Sequence, residues 1–284
     1  MITEADRSAF VQRATTIDYA CLDHLHCLGN YRRRLPVNMV RMIENAYDWE
    51  HLPHVHASSF ASIECIDSGG WGWRAKAQLP GGEAQLLELL VDGERYYWAT
   101  TVLAGPASGM QVHTQATTLS EQEIEVDVRF YSDQPVADEE VPVYLELMQH
   151  QYALLYDEDV MLMRGRQQAL DQRARLRELP TLSDILVGNT VELQEQGGAT
   201  VETPRGRFCV RLHRGNWVVY SAVCSHQLGP LDESSIAADG SITCPWHGYR
   251  FDAASGDNLD GKCRALATAP GARVSAESLY LHWD

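Results

Sequence analysis

The residues richest in chemistry lie between Ala222 and Asp252, in "AVCSHQLGPLDESSIAADGSITCPWHGYRFD". Two short stretches each carry one thiol and one imidazole, Cys224-x-His226 and Cys244-x-x-His247. Thiolates and imidazoles so spaced can hold zinc in a mixed four-ligand structural site. Zinc patterns, however, usually group Cys with Cys and His with His. One of each per loop suits an iron-sulfur cluster in which one iron takes two cysteines and the other two histidines. Cys224 and Cys244 would then hold the inner iron. His226 and His247 would hold the outer one, their far ring nitrogens toward solvent. Neutral imidazole in place of anionic thiolate reduces the cluster's negative charge and raises its potential. Gly229 and Gly248 read as tight turns that free N–H groups to face sulfur, and Pro245 and Trp246 as a shield on one side.

A second set stands in "ENAYDWEHLPHVH", with Asn45, Asp48, His51, His54 and His56. Two imidazoles and one carboxylate on one face of iron(II) leave positions open for dioxygen and a substrate. Asp48 and His51 are three residues apart and would share a helix face. There Asp48 could accept a hydrogen bond from the outer nitrogen of a ligating histidine. Geometry leaves the second imidazole open. His54 is well placed on an ideal helix, and a perturbation of that helix by Pro53 would rotate His56 inward. The carboxylate must come from elsewhere. In "VYLELMQHQYALLYDEDVMLMRGRQQAL" the stripe Leu145, Met148, Tyr152, Leu155 and Leu162 puts Asp159 at an inward position. An aspartate on an apolar face is costly unless paired or metal-bound. Asp157 and Glu158 fall off that stripe.

The elements that must position these residues follow from periodicity and turn signals. Residues 1–34 read as helical, with an arginine cluster at Arg32, Arg33 and Arg34. Six strand-like segments follow, "ASIECIDSG", "WGWRAKAQL", "AQLLELLV", "RYYWATTVL", "GMQVHTQATTL" and "EIEVDVRFYS". Signals such as Pro80-Gly81-Gly82 and Asp92-Gly93 separate them, which predicts an antiparallel sheet. One long helix is expected from about Val141 to Glu178, with a break at Pro180. The last hundred or so residues carry short strands such as "FCVRL" and "WVVYSAV". Among the aromatic residues of the strands, Trp71, Trp73, Tyr96, Tyr97 and Trp98 read mainly as core, as do Met110 and His113. "CLDHLHC", Cys21 to Cys27, matches neither zinc nor cluster spacing and reads as packing residues.

Composition sets limits. The chain has 284 residues, 45% of them hydrophobic, and a formal charge of −16 from 23 basic and 39 acidic residues. That charge argues against nucleic acid, whose phosphates need clustered Lys and Arg. An acidic surface suits docking to a basic protein. Only Lys76 and Lys262 are lysines. No stretch approaches the ~20 apolar residues of a membrane span. "MITEADRSAF" lacks the basic start and apolar run of a signal peptide. A reducing cytoplasm is therefore the expected compartment for the seven cysteines.

"CSHQLGPL … CPWHGYRFDAASG" resembles the Rieske iron-sulfur motif, with seventeen residues between His226 and Cys244. The loops lack the additional cysteine pair of respiratory Rieske proteins, so the resemblance is to the ferredoxin or oxygenase type. "ENAYDWEHLPHVH" is similar to the N-x-x-D-x-x-H-x-x-x-x-H pattern of the catalytic domain of Rieske non-haem iron oxygenases. The resemblance implies His51, His56 and Asp159 as ligands of a mononuclear iron(II), Asp48 as the electron bridge and Asn45 as a further active-site residue. It implies an α+β helix-grip (START-like) catalytic domain at residues 1–178, a linker at 179–185 and an all-β Rieske [2Fe-2S] domain at 186–284. The domain order is reversed from that of the familiar oxygenases. The implied activity is hydroxylation, dihydroxylation or dealkylation of a small organic substrate, aromatic by family habit, with O2 and electrons from a reductase or ferredoxin. A homo-oligomer is implied too, commonly a trimer in the family. The other reading is a Rieske electron carrier fused to a non-catalytic ligand-binding helix-grip domain.

Overall fold

The structure, a computed structural model, describes residues 1–175 and 183–283. The chain packs as two compact units, residues 1–164 and 165–284. The first begins with a short helix α1 (Glu4–Ser8), capped by Thr3 and Asp6, and a 3-10 turn over Tyr19–His24. Strand β1 (His26–Leu35) follows, then α2 (Met39–Tyr47) and a single turn, α3 (Leu52–Val55). Six strands come next: β2 (Ser62–Gly69), β3 (Gly72–Gln78), β4 (Ala84–Asp92), β5 (Tyr97–Ala104), β6 (Met110–Ser120) and β7 (Glu123–Ser132). The long helix α4 spans Val141–Arg175.

The sheet runs β1-β7-β6-β5-β4-β3-β2, antiparallel throughout. Consecutive strands form a meander, and the first strand closes on the last. Strict alternation in β7 sends Ile124, Val126, Val128 and Phe130 to full burial, as a sheet with one core face requires. Helix α4 covers that face, with Tyr152 set edge-on to Phe130 at 5.3 Å. At Gly29 (φ 138°) β1 bulges, and an added Cβ would lie 2.7 Å from Leu145 of α4. A sheet gripping a long C-terminal helix is the arrangement expected of a helix-grip domain.

The opening segment departs from the helix expected over residues 1–34. Tyr31, Arg32, Arg33 and Arg34 belong to an edge strand, alternately half-buried and exposed. Arg33 hides the alternation, because its stem lies along α4 while its guanidinium donates to Ala153 O at 3.0 Å and pairs with Asp157. On the opposite face of the sheet, Arg74 and Glu88 are buried under the N-terminal segment. Arg74 Nε donates to Glu88 Oε2 at 2.6 Å, and Arg13 donates to Glu88 Oε1 at 2.7 Å. Arg74 also donates to the carbonyls of Arg13 and Ala14.

In the second unit β8 (Ile185–Asn189) leads into a short helix α5 (Thr190–Glu195). The linker expected at 179–185 lies, up to residue 182, outside the described residues, and Ile185 already belongs to β8. Strands β9 (Ala199–Thr203), β10 (Gly206–His213) and β11 (Asn216–Ser221) form one small sheet. The hairpin β12 (Ser241–Thr243) and β13 (Arg250–Asp252) forms another. The strands β14 (Gly271–Ser275) and β15 (Ser278–His282) join β8 in a third. Leu193, Phe208, Val210, Val219, Leu279 and Leu281 make the core between them. Among the described residues no helix is long and apolar enough to cross a membrane.

Candidate metal centres

Among the described residues one group of His, Cys, Asp and Glu side chains converges within 4.8 Å: His51, His56 and Asp159. All three are buried, at 2%, 1% and 8% exposure. His56 Nε2 lies 3.0 Å from Asp159 Oδ1 and His51 Nε2 lies 3.4 Å from the same oxygen. The opposite nitrogens face other carboxylates. His56 Nδ1 is 2.7 Å from Glu158 Oε2, and His51 Nδ1 is 3.8 Å from Asp48 Oδ2. Both imidazoles thus turn Nε2 toward one point and Nδ1 toward an acid, the outer arrangement usual for metal-binding histidines.

The backbone differs from the single helix expected there. Helix α2 stops at Tyr47, Asp48 caps it, and His51 precedes α3. Pro53 sits in the first turn of α3, where proline is tolerated, and so does not turn His56. His56 swings inward because the turn ends there, at φ −105° and ψ 44°. His54, the other candidate, is exposed. On α4, Asp159 faces inward with Tyr156, Leu162 and Met163. Asp157 is exposed on Arg33.

Glu158 was missed. It sits beside the stripe rather than on it, and only the fold shows that it meets His56. Its signal in the sequence is indirect, since a buried metal-binding imidazole needs an acceptor for its second nitrogen.

The electrostatics call for a cation at this point. Burial disfavours a charged His51, yet Asp159 and Asp48 outweigh it and raise the imidazole to about 9. Burial likewise works against an ionised Asp159, but His51 and His56 hold its carboxyl well below the usual carboxylate range. Neither ring nitrogen of His51 makes a well-formed hydrogen bond. Two imidazoles and a carboxylate with positions left open is a donor set that fits iron(II). The group opens into a cavity of about 140 Å³ walled by Met42, Trp73, Leu87, Leu89 and Trp98. Trp73 Nε1 donates to Ala46 O at 3.0 Å and fixes that wall. Asn45 and Asp48 also line the cavity, and Asn45 Oδ1 is buried without a hydrogen bond among the described residues. Of the other aromatic residues considered, Tyr97 bonds the buried His113 at 3.0 Å, Tyr96 is exposed, and neither lines the cavity. Cys21 and Cys27 are free thiols, and His24 and His26 are exposed.

The second unit builds its candidate site from two loops of equal design. Cys224 N donates to Gly229 O at 2.9 Å, and Cys244 N donates to Tyr249 O at 2.9 Å. Val223 pairs with Pro230, and Thr243 with Arg250. Leu228 takes φ 67° and Gly248 φ 66°. Each of these positions in the second loop lies twenty residues after its counterpart in the first. Leu228, not Gly229, therefore holds the left-handed position of its loop. Gly229 serves close approach instead, since a Cβ there would lie 2.7 Å from Cys244 Sγ and 3.1 Å from Trp246.

Cys224 and Cys244 are each 1% exposed. Their thiols hydrogen-bond each other, which lowers Cys244 and raises Cys224. A pair of sulfurs that stabilises thiolate is ready for iron. The His226 and His247 rings lie 4.6 Å apart, nearly perpendicular. His247 is buried and His226 half-buried, so the pair is less open to solvent than expected; Tyr249 stacks on His226 at 4.5 Å and contributes to this cover. Trp246 is buried while Pro245 is exposed, so of the two residues expected to shield the site the indole is the buried one. Two thiols and two imidazoles need not meet at one point, because a two-iron cluster separates them. Replacing Gly229 by Ala is expected to cost about 1–3 kcal/mol through overpacking. It should lower iron and acid-labile sulfide per chain, with the cluster's visible absorbance as readout.

No curated protein matches the sequence. Among solved structures, the ferredoxin of carbazole 1,9a-dioxygenase from Nocardioides aromaticivorans is 20% identical and covers 36% of this chain and 98% of its own, with a TM-score of 0.33. The plasma membrane Rieske protein of Synechocystis is 27% identical over 35% of this chain and 99% of its own, with a TM-score of 0.30. Norcoclaurine synthase from Thalictrum flavum is 15% identical over 53% of this chain and 94% of its own, with a TM-score of 0.39. A family profile described as Rieske [2Fe-2S] domain matches residues 183–270, a range that contains Cys224, His226, Cys244 and His247. The chain thus carries a Rieske [2Fe-2S] domain.

Proposed function

We propose that the protein is the oxygenase component of a Rieske non-haem iron system. It would take electrons from a reductase or ferredoxin and insert oxygen from O2 into a small organic substrate. One observation carries this reading: a buried His51, His56 and Asp159 group opens on an apolar cavity in a chain that also carries a Rieske domain. The cavity is close in size to the ~150 Å³ that accepts benzene in an engineered core, which favours a substrate of single-ring size.

Cys224, Cys244, His226 and His247 would hold the cluster, and His51, His56 and Asp159 the mononuclear iron. When bound, the iron supplies activation of dioxygen and the cluster supplies electrons one at a time. The chain's own residues do the rest. Glu158 would keep a proton on His56 Nδ1, and the Asp48 carboxylate faces His51 Nδ1, so that both Nε2 lone pairs would face inward. Asn45 offers an acceptor to orient the substrate. The tryptophans and leucines of the wall exclude water. Two electrons and two protons are consumed per O2, whether one oxygen atom leaves as water or both enter a cis-diol.

The test begins with iron per chain. About three atoms support the oxygenase, and about two support the electron carrier fused to a ligand-binding domain. The Asp48→Ala variant should retain both metals and a reducible cluster, with product formation lowered at least ~10–100-fold. Unchanged turnover in that variant would remove Asp48 from the electron route.

A further inference from the structure

The chain has only two lysines, and one of them stands over the aromatic ring that stacks on a cluster histidine. Tyr249 lies 4.5 Å from His226 with ring planes 18° apart. Lys262 Nζ lies 4.9 Å from the centroid of the same Tyr249 ring. Against 39 acidic residues, a cation at this place is not a by-product of composition.

The loop that carries Lys262 is built to hold it there. Asn258 Oδ1 accepts from Lys262 N at 2.8 Å, and Asn258 Nδ2 donates to Arg250 O at 3.0 Å. Asp260 accepts from Arg250 N at 2.7 Å and from Arg250 Nε at 3.2 Å. Arg250 follows Tyr249 directly, so these bonds tie the lysine loop to the second ligand loop. Ser225 Oγ donates to Arg264 O at 2.6 Å and ties it to the first, next to His226. Both ligand loops thus anchor the main chain that carries this charge.

We infer that Lys262 and Tyr249 set the reduction potential of the Rieske cluster through His226. Reduction adds one negative charge to the cluster, so a nearby cation favours the reduced state. The ammonium also draws on the electron-rich Tyr249 ring, which stacks on the His226 imidazole. Neither residue is a ligand. Tyr249 is a positioning residue and Lys262 a source of field. The inference rests on the Rieske domain alone and is independent of any iron in the first unit.

The experiment is a redox titration of the full-length holoprotein, followed by the cluster's electron paramagnetic resonance. Lys262→Arg should keep the wild-type midpoint, Lys262→Gln should lower it, and Lys262→Glu should lower it further. Because Lys262 is exposed, the spread should narrow as salt rises. Tyr249→Phe should keep the Lys262→Gln shift, and Tyr249→Leu should diminish it. Iron and sulfide content shows which variants carry the cluster. If Tyr249→Leu does not, the lysine series decides alone. A Lys262→Glu protein with full cluster and the wild-type midpoint overturns the inference.

Discussion

Replacing Asp159 by alanine should take iron from about three atoms per chain to about two, while the cluster's spectrum stays as it was. Asp159 Oδ1 is the atom on which His51 Nε2 and His56 Nε2 both converge, at 3.4 and 3.0 Å. Removing it takes away the only anionic donor of the three and leaves two neutral imidazoles, a weaker set for a hard ferrous ion. Product formation should fall to background, and the ferrous nitrosyl signal of an anaerobic sample should vanish. The same variant discriminates between readings. A wild-type protein with two irons would show no change in metal content, and the first unit would then be a ligand-binding module.

Replacing Glu88 by alanine should destabilise the first unit by about 3–5 kcal/mol, the usual loss when one partner of a buried ion pair is removed. Glu88 is 1% exposed and serves two guanidiniums. Arg74, 5% exposed at its side chain, would be left charged without an anion. Its two carbonyl acceptors and the Trp71 ring under it do not neutralise it. Arg13 would lose its anchor as well, and with it the segment that covers the outer sheet face. Chemical denaturation followed by tryptophan fluorescence measures the loss. Glu88→Gln, which keeps acceptor capacity, should lose less. The Rieske spectrum offers an internal control, since its ligands lie in the other unit.

What could be read from the sequence, and what could not, follows from how far each signal reaches. The strands β2 to β7 were legible because each carries its own period and its own turn signals. The inward placement of Asp159 was legible because the periodicity of α4 is local to α4. Strand β1 was not, because an edge strand with three arginines lacks a clean apolar face, and Arg33 is half-buried by a helix more than a hundred residues away. The bend at His56 was not legible either, since it depends on where a single turn stops. Glu158 and Lys262 meet His56 and Tyr249 only in the fold, so neither spacing nor composition points to them. Gly229 was read as a turn for the same reason. Its constraint is the Cys244 sulfur, which reaches it only in three dimensions.

The twenty-residue repeat between the ligand loops has a consequence for how damage to either loop is confined. Each loop is latched by main-chain bonds that involve no metal, and each latch adjoins strand pairing that is equally metal-free. Each loop keeps its own latch, so a change that breaks one should disturb the cysteine and histidine of that loop and leave the pairing of the other in place.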